Sequence, residues 1–350
     1  MSPSAVRQVL LGAVVFVAAL GILLGLTAII RPGSGTGASG TAASPTAPST
    51  PAATAGAATG AAPPSGTAAG SAAPGASASP TGSAATTATL IGAGDIAGCD
   101  WDDDEATAAL LDRIEGTVFT AGDNVYPAGT TDTYNDCFGP TWGRHLDRLR
   151  PAPGNHDWEL GTLDAYAAYF GDAARNEVGD PWYAYQHGSW HVVVLDSDCS
   201  HVGGCGPDSV QGRWLAETLA ASDAVCTLAI WHHPRFSSGT HGSDPTIAPF
   251  WDALYAADAD VVVNGHEHDY ERFAPQDPGG TLDRGRGLRQ FIVGTGGADL
   301  RDFEAPIANS ELRLAVGHGV IEFTLGDGGY EWQWLPVQGE VADRGQASCH

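Results

Sequence analysis

The chain has 350 residues, of which 41 are acidic and 16 basic, and every basic residue is arginine. Residues 1–88 contain no Asp or Glu and only Arg7 and Arg31, so the remainder carries 14 − 41 = −27. Nucleic-acid binding relies on basic side chains that neutralise phosphates, so this balance argues against polyanionic partners and no nucleic-acid binding is expected. We attribute most of the acidic charge to solubility of an exported protein.

The first predicted element is an apolar stretch at residues 9–30 that contains no charged side chain. A helix of about 20 apolar residues spans the hydrocarbon layer of a membrane, whereas the apolar regions of signal peptides are shorter. Residues 1–31 are therefore predicted to be a membrane anchor, with a cleaved signal peptide as the alternative. Both alternatives export the acidic part, either anchored at the cell surface or secreted.

The next segment, residues 32–87, consists of Gly, Ala, Ser, Thr and Pro. Such a composition lacks the large apolar side chains that offset the entropy cost of ordering, so it predicts a disordered linker. The remaining residues, 88–350, are numerous enough to bury one large core and are predicted to form one domain.

Within this domain, apolar runs of strand character alternate with segments of helical character, which predicts an α/β fold. Ligand-bearing loops are then expected at the carboxyl ends of the strands. Residues 269–272 are interpreted as a loop, and residues 315–337 as closing hairpins of a second sheet. The predicted strands lie at residues 89–91, 117–119, 190–195, 226–231 and 260–263, and the predicted helices at residues 103–114, 163–170, 209–221 and 247–257.

Five short polar motifs occur along the domain, most of them directly after a predicted strand. Each alone is weak evidence, because an aspartate such as Asp95 or Asp123 at a strand end also serves turns and helix caps. Together they supply carboxylates, a phenol, an amide and imidazoles, which suit Fe, Mn or Zn, and paired metal ions cleave phosphate esters. The motifs are Gly94-Asp95, Gly122-Asp123-Asn124-Val125-Tyr126, Gly154-Asn155-His156-Asp157, His232-His233-Pro234 and Gly265-His266-Glu267-His268.

Six cysteines lie in the domain, and an even number suits disulfides in an oxidising compartment. Six cysteines allow 15 connectivities. Cys199 and Cys205 are the predicted pair, since they close a short glycine-rich loop.

The motif set resembles the calcineurin-like metallophosphoesterases, and among them the purple acid phosphatases. Most of that superfamily begins with Asp-x-His, whereas Ala97 occupies the third position here. Purple acid phosphatases instead carry a Tyr three residues after the Asp of the second motif, where Tyr126 stands. The resemblance covers about residues 90–325 and implies a two-sheet α/β/β/α metallophosphoesterase sandwich for the domain.

The resemblance also implies two metal sites that share Asp123. The first site, normally ferric iron, would be held by Asp95, Asp123, Tyr126 and His268. The second site, for Fe, Zn or Mn, would be held by Asp123, Asn155, His232 and His266. The His-x-Pro pattern of the family favours His232 as this ligand, and His233 is the alternative. A ferric phenolate at Tyr126 would give the protein a purple colour.

Two further histidines, His156 and His241, match substrate-facing histidines of the family, which position phosphate or protonate the leaving group. The implied function is an exported phosphoesterase that hydrolyses small phosphate monoesters by attack of a metal-bound hydroxide. Two alternatives stay open: a phosphodiesterase or nucleotidase of the same fold, and a non-catalytic surface binding protein on this fold.

Overall fold

The computed structural model describes residues 87–350. The predicted anchor at residues 1–31 and residues 32–86 of the predicted linker lie outside the described residues. From residue 87 onwards, none of the helices combines the length and the apolar character needed to cross a membrane.

The strands are short, and they are β1 (Ala88–Ala93), β2 (Ala97–Gly98), β3 (Thr117–Ala121), β4 (Val125–Tyr126), β5 (Leu149–Ala152), β6 (Tyr183–His187), β7 (Trp190–Val194), β8 (Cys226–Ile230), β9 (Val261–Asn264), β10 (Tyr270–Phe273), β11 (Arg289–Val293), β12 (Ser310–Leu314), β13 (Gly319–Gly326), β14 (Gly329–Pro336) and β15 (Asp343–Ser348). The α-helices are α1 (Asp103–Leu111), α2 (Thr131–Thr133), α3 (Asp164–Phe170), α4 (Val210–Ala220) and α5 (Ala248–Ala256). A π-helical turn covers Tyr134–Phe138, and 3₁₀ turns cover Trp142–Arg148, Gly171–Ala174 and Pro245–Ile247.

The strands form two large sheets and one small parallel pair, β2 with β4. The first sheet has the order β15-β14-β13-β1-β3-β5, and β1, β3 and β5 run parallel. The second has the order β12-β10-β11-β9-β8-β7-β6, and β7, β8, β9 and β11 run parallel. Parallel neighbours need crossover connections, which contain helical segments between most of these strands and β10 between β9 and β11.

The second sheet is covered on both faces, as β8 shows. Every residue of β8 is buried. Leu228 and Ile230 belong to a core that also contains residues of the first sheet, whereas Ala229 belongs to a core that includes residues of α5 such as Trp251. Successive side chains of a strand point to opposite faces, so a strand with two covered faces reads as a continuous apolar run.

The predicted mixed α/β fold is confirmed, and each predicted strand and helix is present with bounds shifted by a few residues at most. One interpretation was wrong: residues 269–272 are not a loop, because Tyr270–Phe273 form β10, which pairs with both β11 and β12. The hairpin predicted within residues 315–337 is present as β13 and β14, and it pairs with β1.

Three disulfides are formed, and all six cysteines take part. The predicted Cys199–Cys205 pair is confirmed. Cys99–Cys137 connects the segment after β2 to the π-helical turn. Cys226–Cys349 joins the first residue of β8, in the second sheet, to the residue after β15, in the first sheet.

Candidate metal centre

The five motifs follow the carboxyl ends of five parallel strands, three in the first sheet and two in the second. Those strands are β1, β3 and β5, and β8 and β9. The register pairs Ala121 with Ala152 and Ile230 with Val263, so the residues just beyond these ends lie side by side. The sequence folds this way because each buried apolar run ends where a polar loop must leave the sheet. The candidate site therefore lies where the carboxyl ends of the parallel strands of the two sheets come together.

The first half of the site is centred on the phenol of Tyr126. Its hydroxyl oxygen lies 2.9 Å from Asp95 Oδ1 and 3.0 Å from Asp123 Oδ2. The same oxygen lies 3.1 Å from His268 Nε2, which is 3.3 Å from Asp95 Oδ1. The structure thus brings together the four residues predicted for the first metal site.

The second half shares Asp123 with the first. His232 Nε2 lies 3.2 Å from Asp123 Oδ2 and 3.3 Å from His266 Nδ1. Asn155 follows Gly154, where a Cβ atom would lie only 2.3 Å from Asp123 Oδ1 and 2.9 Å from the His232 ring. The close approach of the third motif to the second therefore requires glycine at position 154.

Backbone strain is concentrated at the site. Asp95, Asp123 and His266 have φ of 60°, 48° and 72°, in the left-handed region that non-glycine residues rarely adopt. Such a conformation costs on the order of 1–3 kcal/mol for each residue and persists where the surrounding structure imposes it. Two hydrogen bonds help to hold these backbone conformations. The His266 N–H donates to Asp95 Oδ2 and the His156 N–H donates to Asp123 Oδ1, both at 2.8 Å.

Two imidazoles are oriented by main-chain carbonyls. His232 Nδ1 lies 2.9 Å from the Ala121 oxygen, and His268 Nδ1 lies 2.7 Å from the Asp299 oxygen. A carbonyl only accepts, so each Nδ1 carries a hydrogen and each Nε2 faces the carboxylates. This arrangement, in which the outer nitrogen is fixed by a hydrogen bond, is the usual one for metal-ligating histidine.

Burial and mutual charge perturb the acid–base properties of these groups. Burial, reinforced by the charges of Asp123 and Asp95, raises the pKa of Tyr126 well above its ordinary value. Burial alone would lower the pKa of His232, but Asp123 and Asp95 outweigh it and raise that pKa to about 10. Both pKa values are raised by the negative charges of Asp95 and Asp123, which a bound metal cation would neutralise.

The side chains present fit a metal centre in two respects. Ligand atoms of Asp95, Asp123 and His232 all lie within 4.8 Å of one another. Asn155 Oδ1 is buried and has no hydrogen-bond partner in the described part of the chain. A buried amide oxygen without a partner is costly, and a coordinated cation removes that cost. We call Asp95, Asp123, Tyr126, His232 and His268, which are all buried, the buried cluster.

Three further side chains border the buried cluster, and we call them the rim: His156, His241 and Arg301. The His156 ring packs 4.3 Å from the Tyr126 ring, with Nδ1 2.8 Å from the Pro127 oxygen, and its side chain is 30% exposed. His241 lies on the other side, 4.4 Å from the His266 ring, and its side chain is 42% exposed. The two predicted substrate-facing histidines therefore border opposite halves of the site.

The structure places His232, and not His233, against Asp123. His233 Nδ1 instead lies 2.9 Å from the Ser197 hydroxyl, whose oxygen accepts the His233 N–H. Burial and the positive charge of His232 lower the pKa of His233 to about 4, so this ring is neutral.

Sequence reasoning gave no role to two residues beside the site, Arg301 and Glu267. Arg301 Nη1 lies 3.0 Å from His241 Nδ1 and donates to the His266 carbonyl at 3.2 Å. Glu267, between two predicted ligands, is fully buried and accepts hydrogen bonds from the loop that carries His241. The position of Glu267 within the last motif was the only available signal, and nothing in the sequence pointed to Arg301.

The two-sheet α/β fold gathers carboxylates and imidazoles at the carboxyl ends of its strands, a set of side chains that could hold a metal ion. The profile of the calcineurin-like phosphoesterase family matches residues 89–270, which include all five motifs. The chain belongs to that family.

Named relatives support the resemblance to purple acid phosphatases. Purple acid phosphatase 15 of Arabidopsis thaliana is 31% identical over 150 residues, which are 37% of this chain and 27% of that protein. Purple acid phosphatase 22 of the same plant is 26% identical over 278 residues, 69% of this chain and 58% of that protein. The chain thus spans less than two thirds of the length of these relatives.

A solved structure shows the same fold. The purple acid phosphatase PPD1 from seeds of yellow lupin (Lupinus luteus) superposes with a TM-score of 0.59 at 17% identity, covering 75% of this chain and 54% of that one. Family membership and the named relatives support a phosphoester hydrolase.

Proposed function

We propose that this protein is an exported, dinuclear-metal phosphoesterase that hydrolyses small phosphate monoesters. The observation that carries the proposal is the position of Asp123. Its Oδ2 atom lies 3.0 Å from the Tyr126 hydroxyl and 3.2 Å from His232 Nε2, so one carboxylate serves both halves of the site. A shared carboxylate is the means by which two metal ions are held about 3.5–4 Å apart.

The proposed ligands are those that the resemblance implies. Asp95, Asp123, Tyr126 and His268 would hold one ion, normally ferric iron, and Asp123, Asn155, His232 and His266 would hold Fe, Zn or Mn. Bound ions would lower the pKa of a coordinated water and offset negative charge on the phosphate.

The rim supplies the contacts to substrate. His156 and His241 flank the site, with exposed rings that can hydrogen-bond phosphate or deliver a proton to the leaving oxygen. Arg301 adds a permanent positive charge, and its Nε and Nη2 atoms have no hydrogen-bond partner among residues 87–350. Guanidinium groups bind phosphate oxygens through paired donors, so these two atoms suit an anionic substrate.

Export is the second part of the proposal. It rests on the charge-free apolar stretch at residues 9–30, the linker composition of residues 32–87, and the three disulfides of the domain at residues 88–350. Disulfides persist in oxidising, extracytoplasmic compartments. The proposed location is therefore outside the cytoplasm, either anchored by residues 1–31 or secreted.

The test uses the full chain after metal removal and reloading with iron, zinc or manganese. We expect hydrolysis of p-nitrophenyl phosphate to return with metal and to exceed hydrolysis of bis(p-nitrophenyl) phosphate. Faster cleavage of the diester would assign a phosphodiesterase instead. A metal-loaded protein that cleaves neither ester, nor any nucleotide, would leave the non-catalytic binding protein as the correct reading.

A further inference from the structure

Glu267 lies between His266 and His268, but its carboxylate serves the loop of residues 237–242. Glu267 Oε1 accepts the backbone N–H groups of His241 and Gly242, both at 2.8 Å, and the Ser237 hydroxyl at 3.3 Å. Glu267 Oε2 lies 3.3 Å from His241 Nδ1. The same carboxylate therefore contacts both the backbone and the ring of His241.

The carboxylate is enclosed by this loop. Glu267 is 0% exposed, and a charged group at such a site requires donors to replace water. A Cβ atom on Gly239 would lie 2.4 Å from the Glu267 carboxyl carbon, so a side chain at position 239 would push the loop away. The loop thus depends on close approach to this one side chain.

His241 has two competing partners at the same ring atom. Arg301 Nη1 lies 3.0 Å from Nδ1, and Glu267 Oε2 lies 3.3 Å from it. Guanidinium only donates, and a carboxylate only accepts. If Nδ1 carries the hydrogen it serves Glu267, and if it does not it serves Arg301, so these neighbours select the tautomer of His241.

We propose that Glu267 is a positioning residue for His241. Its Oε1 atom fixes the backbone of the loop, and its Oε2 atom accepts Nδ1–H, so Nε2 is the ring atom that takes up a proton and delivers it to the leaving oxygen. Arg301 Nη1 lies 3.0 Å from Nδ1 and 3.4 Å from Nε2, so in this arrangement the guanidinium has to turn from the ring towards the phosphate. This inference rests on the proposed function, because it assigns Nε2 to the substrate side.

One substitution tests the roles of Glu267 Oε1 and Oε2 separately. In Glu267→Gln, the amide oxygen continues to accept the backbone N–H groups, while the amide NH₂ replaces Oε2 opposite the imidazole. We expect the melting temperature and metal content to stay at wild-type values while kcat/KM falls about 10- to 100-fold, within the range of general acid–base contributions. An unchanged kcat/KM would overturn the proposal.

A double-mutant cycle identifies the route of the effect. We expect Glu267→Gln to change kcat/KM less than about twofold when His241 is already alanine, because coupled residues are not additive. The same fold-loss in both backgrounds would show that Glu267 acts through the neighbouring ligands instead, and would overturn the proposal. Glu271→Gln is the matched control, since Glu271 holds the same loop through the Ser238 N–H at 2.8 Å without a contact to His241.

A readout independent of activity separates this inference from the proposed function. In the zinc-loaded full chain at alkaline pH, ¹⁵N NMR reports which ring nitrogen of the neutral imidazole carries the hydrogen. We expect Nδ1–H at His241 in the wild type and Nε2–H in Glu267→Gln. Nε2–H in the wild type would overturn the positioning role even if the protein hydrolyses phosphate esters.

Discussion

The buried cluster and the rim are held by different kinds of contact. In the buried cluster, Asp95, Asp123 and His232 each lie two residues beyond the end of a buried strand, and Tyr126 lies in β4. The rings of His232 and His268 also contact main-chain carbonyls. In the rim, His241 and Arg301 are held by contacts between loops, including the side chain of Glu267. The sheets thus position the buried cluster, whereas contacts between loops position the rim.

This difference assigns separate tasks to the two regions. The cluster is buried and strained, and it has little freedom to change without loss of its ligand geometry. The rim is half-exposed and can vary while the sheets stay the same. We therefore expect substitutions in the cluster to abolish metal binding and activity together, and substitutions in the rim to change the use of substrate while metal is retained.

The largest effect is expected for Asp123→Asn, which weakens the shared ligand. Metal content should fall in both halves, and kcat/KM should drop on the order of 10³-fold or more. Metal analysis and steady-state kinetics measure the two quantities. Asp112→Asn, at a surface carboxylate paired with Arg144, is the control and should match the wild type. Retention of both metals by Asp123→Asn would contradict the assignment of a shared ligand.

Tyr126→Phe should have the next largest effect, because it removes the phenol from the first half only. We expect the iron-loaded protein to lose its visible absorption band and kcat/KM to fall about 10- to 100-fold, as for loss of groups that tune a metal site. Tyr185→Phe is a matched control, since the buried Tyr185 hydroxyl has no partner within residues 87–350. An unchanged spectrum in Tyr126→Phe would exclude a tyrosinate ligand.

A smaller and different effect is expected in the rim for Arg301→Ala. KM should rise about tenfold, the effect of losing one hydrogen bond to a charged group, while bound metal stays constant. Inhibition by inorganic phosphate should weaken in parallel. Arg286→Ala, which removes an exposed arginine paired with Asp258, controls for the loss of charge. A loss of metal in Arg301→Ala would place this residue with the cluster and break the distinction between the two regions.

The smallest effect on activity is expected for removal of the Cys226–Cys349 disulfide by alanine at both positions. This bond lies at the start of β8, whereas the site lies beyond its end, so kcat/KM should stay at the wild-type value. The free energy of unfolding should fall by about 2–5 kcal/mol, measured by denaturant unfolding. Removal of Cys199–Cys205, with a sequence separation of 6 rather than 123, should cost less because it closes a shorter loop.

The sequence predicted strand positions and site residues well where a buried apolar strand is followed by a polar motif. The runs that became β1, β3, β8 and β9 are apolar and continuous, so their ends and the residues that follow them were predictable. β5 was missed because Leu149–Ala152 contains Arg150 and Pro151. It is an edge strand, where proline is tolerated and the apolar pattern is weaker. β10 was missed because Glu271 and Arg272 look exposed in a sequence.

The charges of β10 are satisfied by distant partners, which no local pattern contains. Glu271 accepts the Ser238 N–H, and Arg272 pairs with Asp343. The rim was unpredictable for the same reason, since Arg301 and Glu267 contact His241 from 60 and 26 residues away along the chain.

β8 belongs to the second sheet but is tied to the first sheet near both of its ends. Its first residue is tied to the first sheet by a covalent bond, Cys226–Cys349, and the residue two positions beyond its end is tied to the same sheet by the His232–Ala121 hydrogen bond. Neither end of β8 can separate from the opposite sheet by fraying. Its amide hydrogens should therefore exchange with solvent only when the domain opens as a whole.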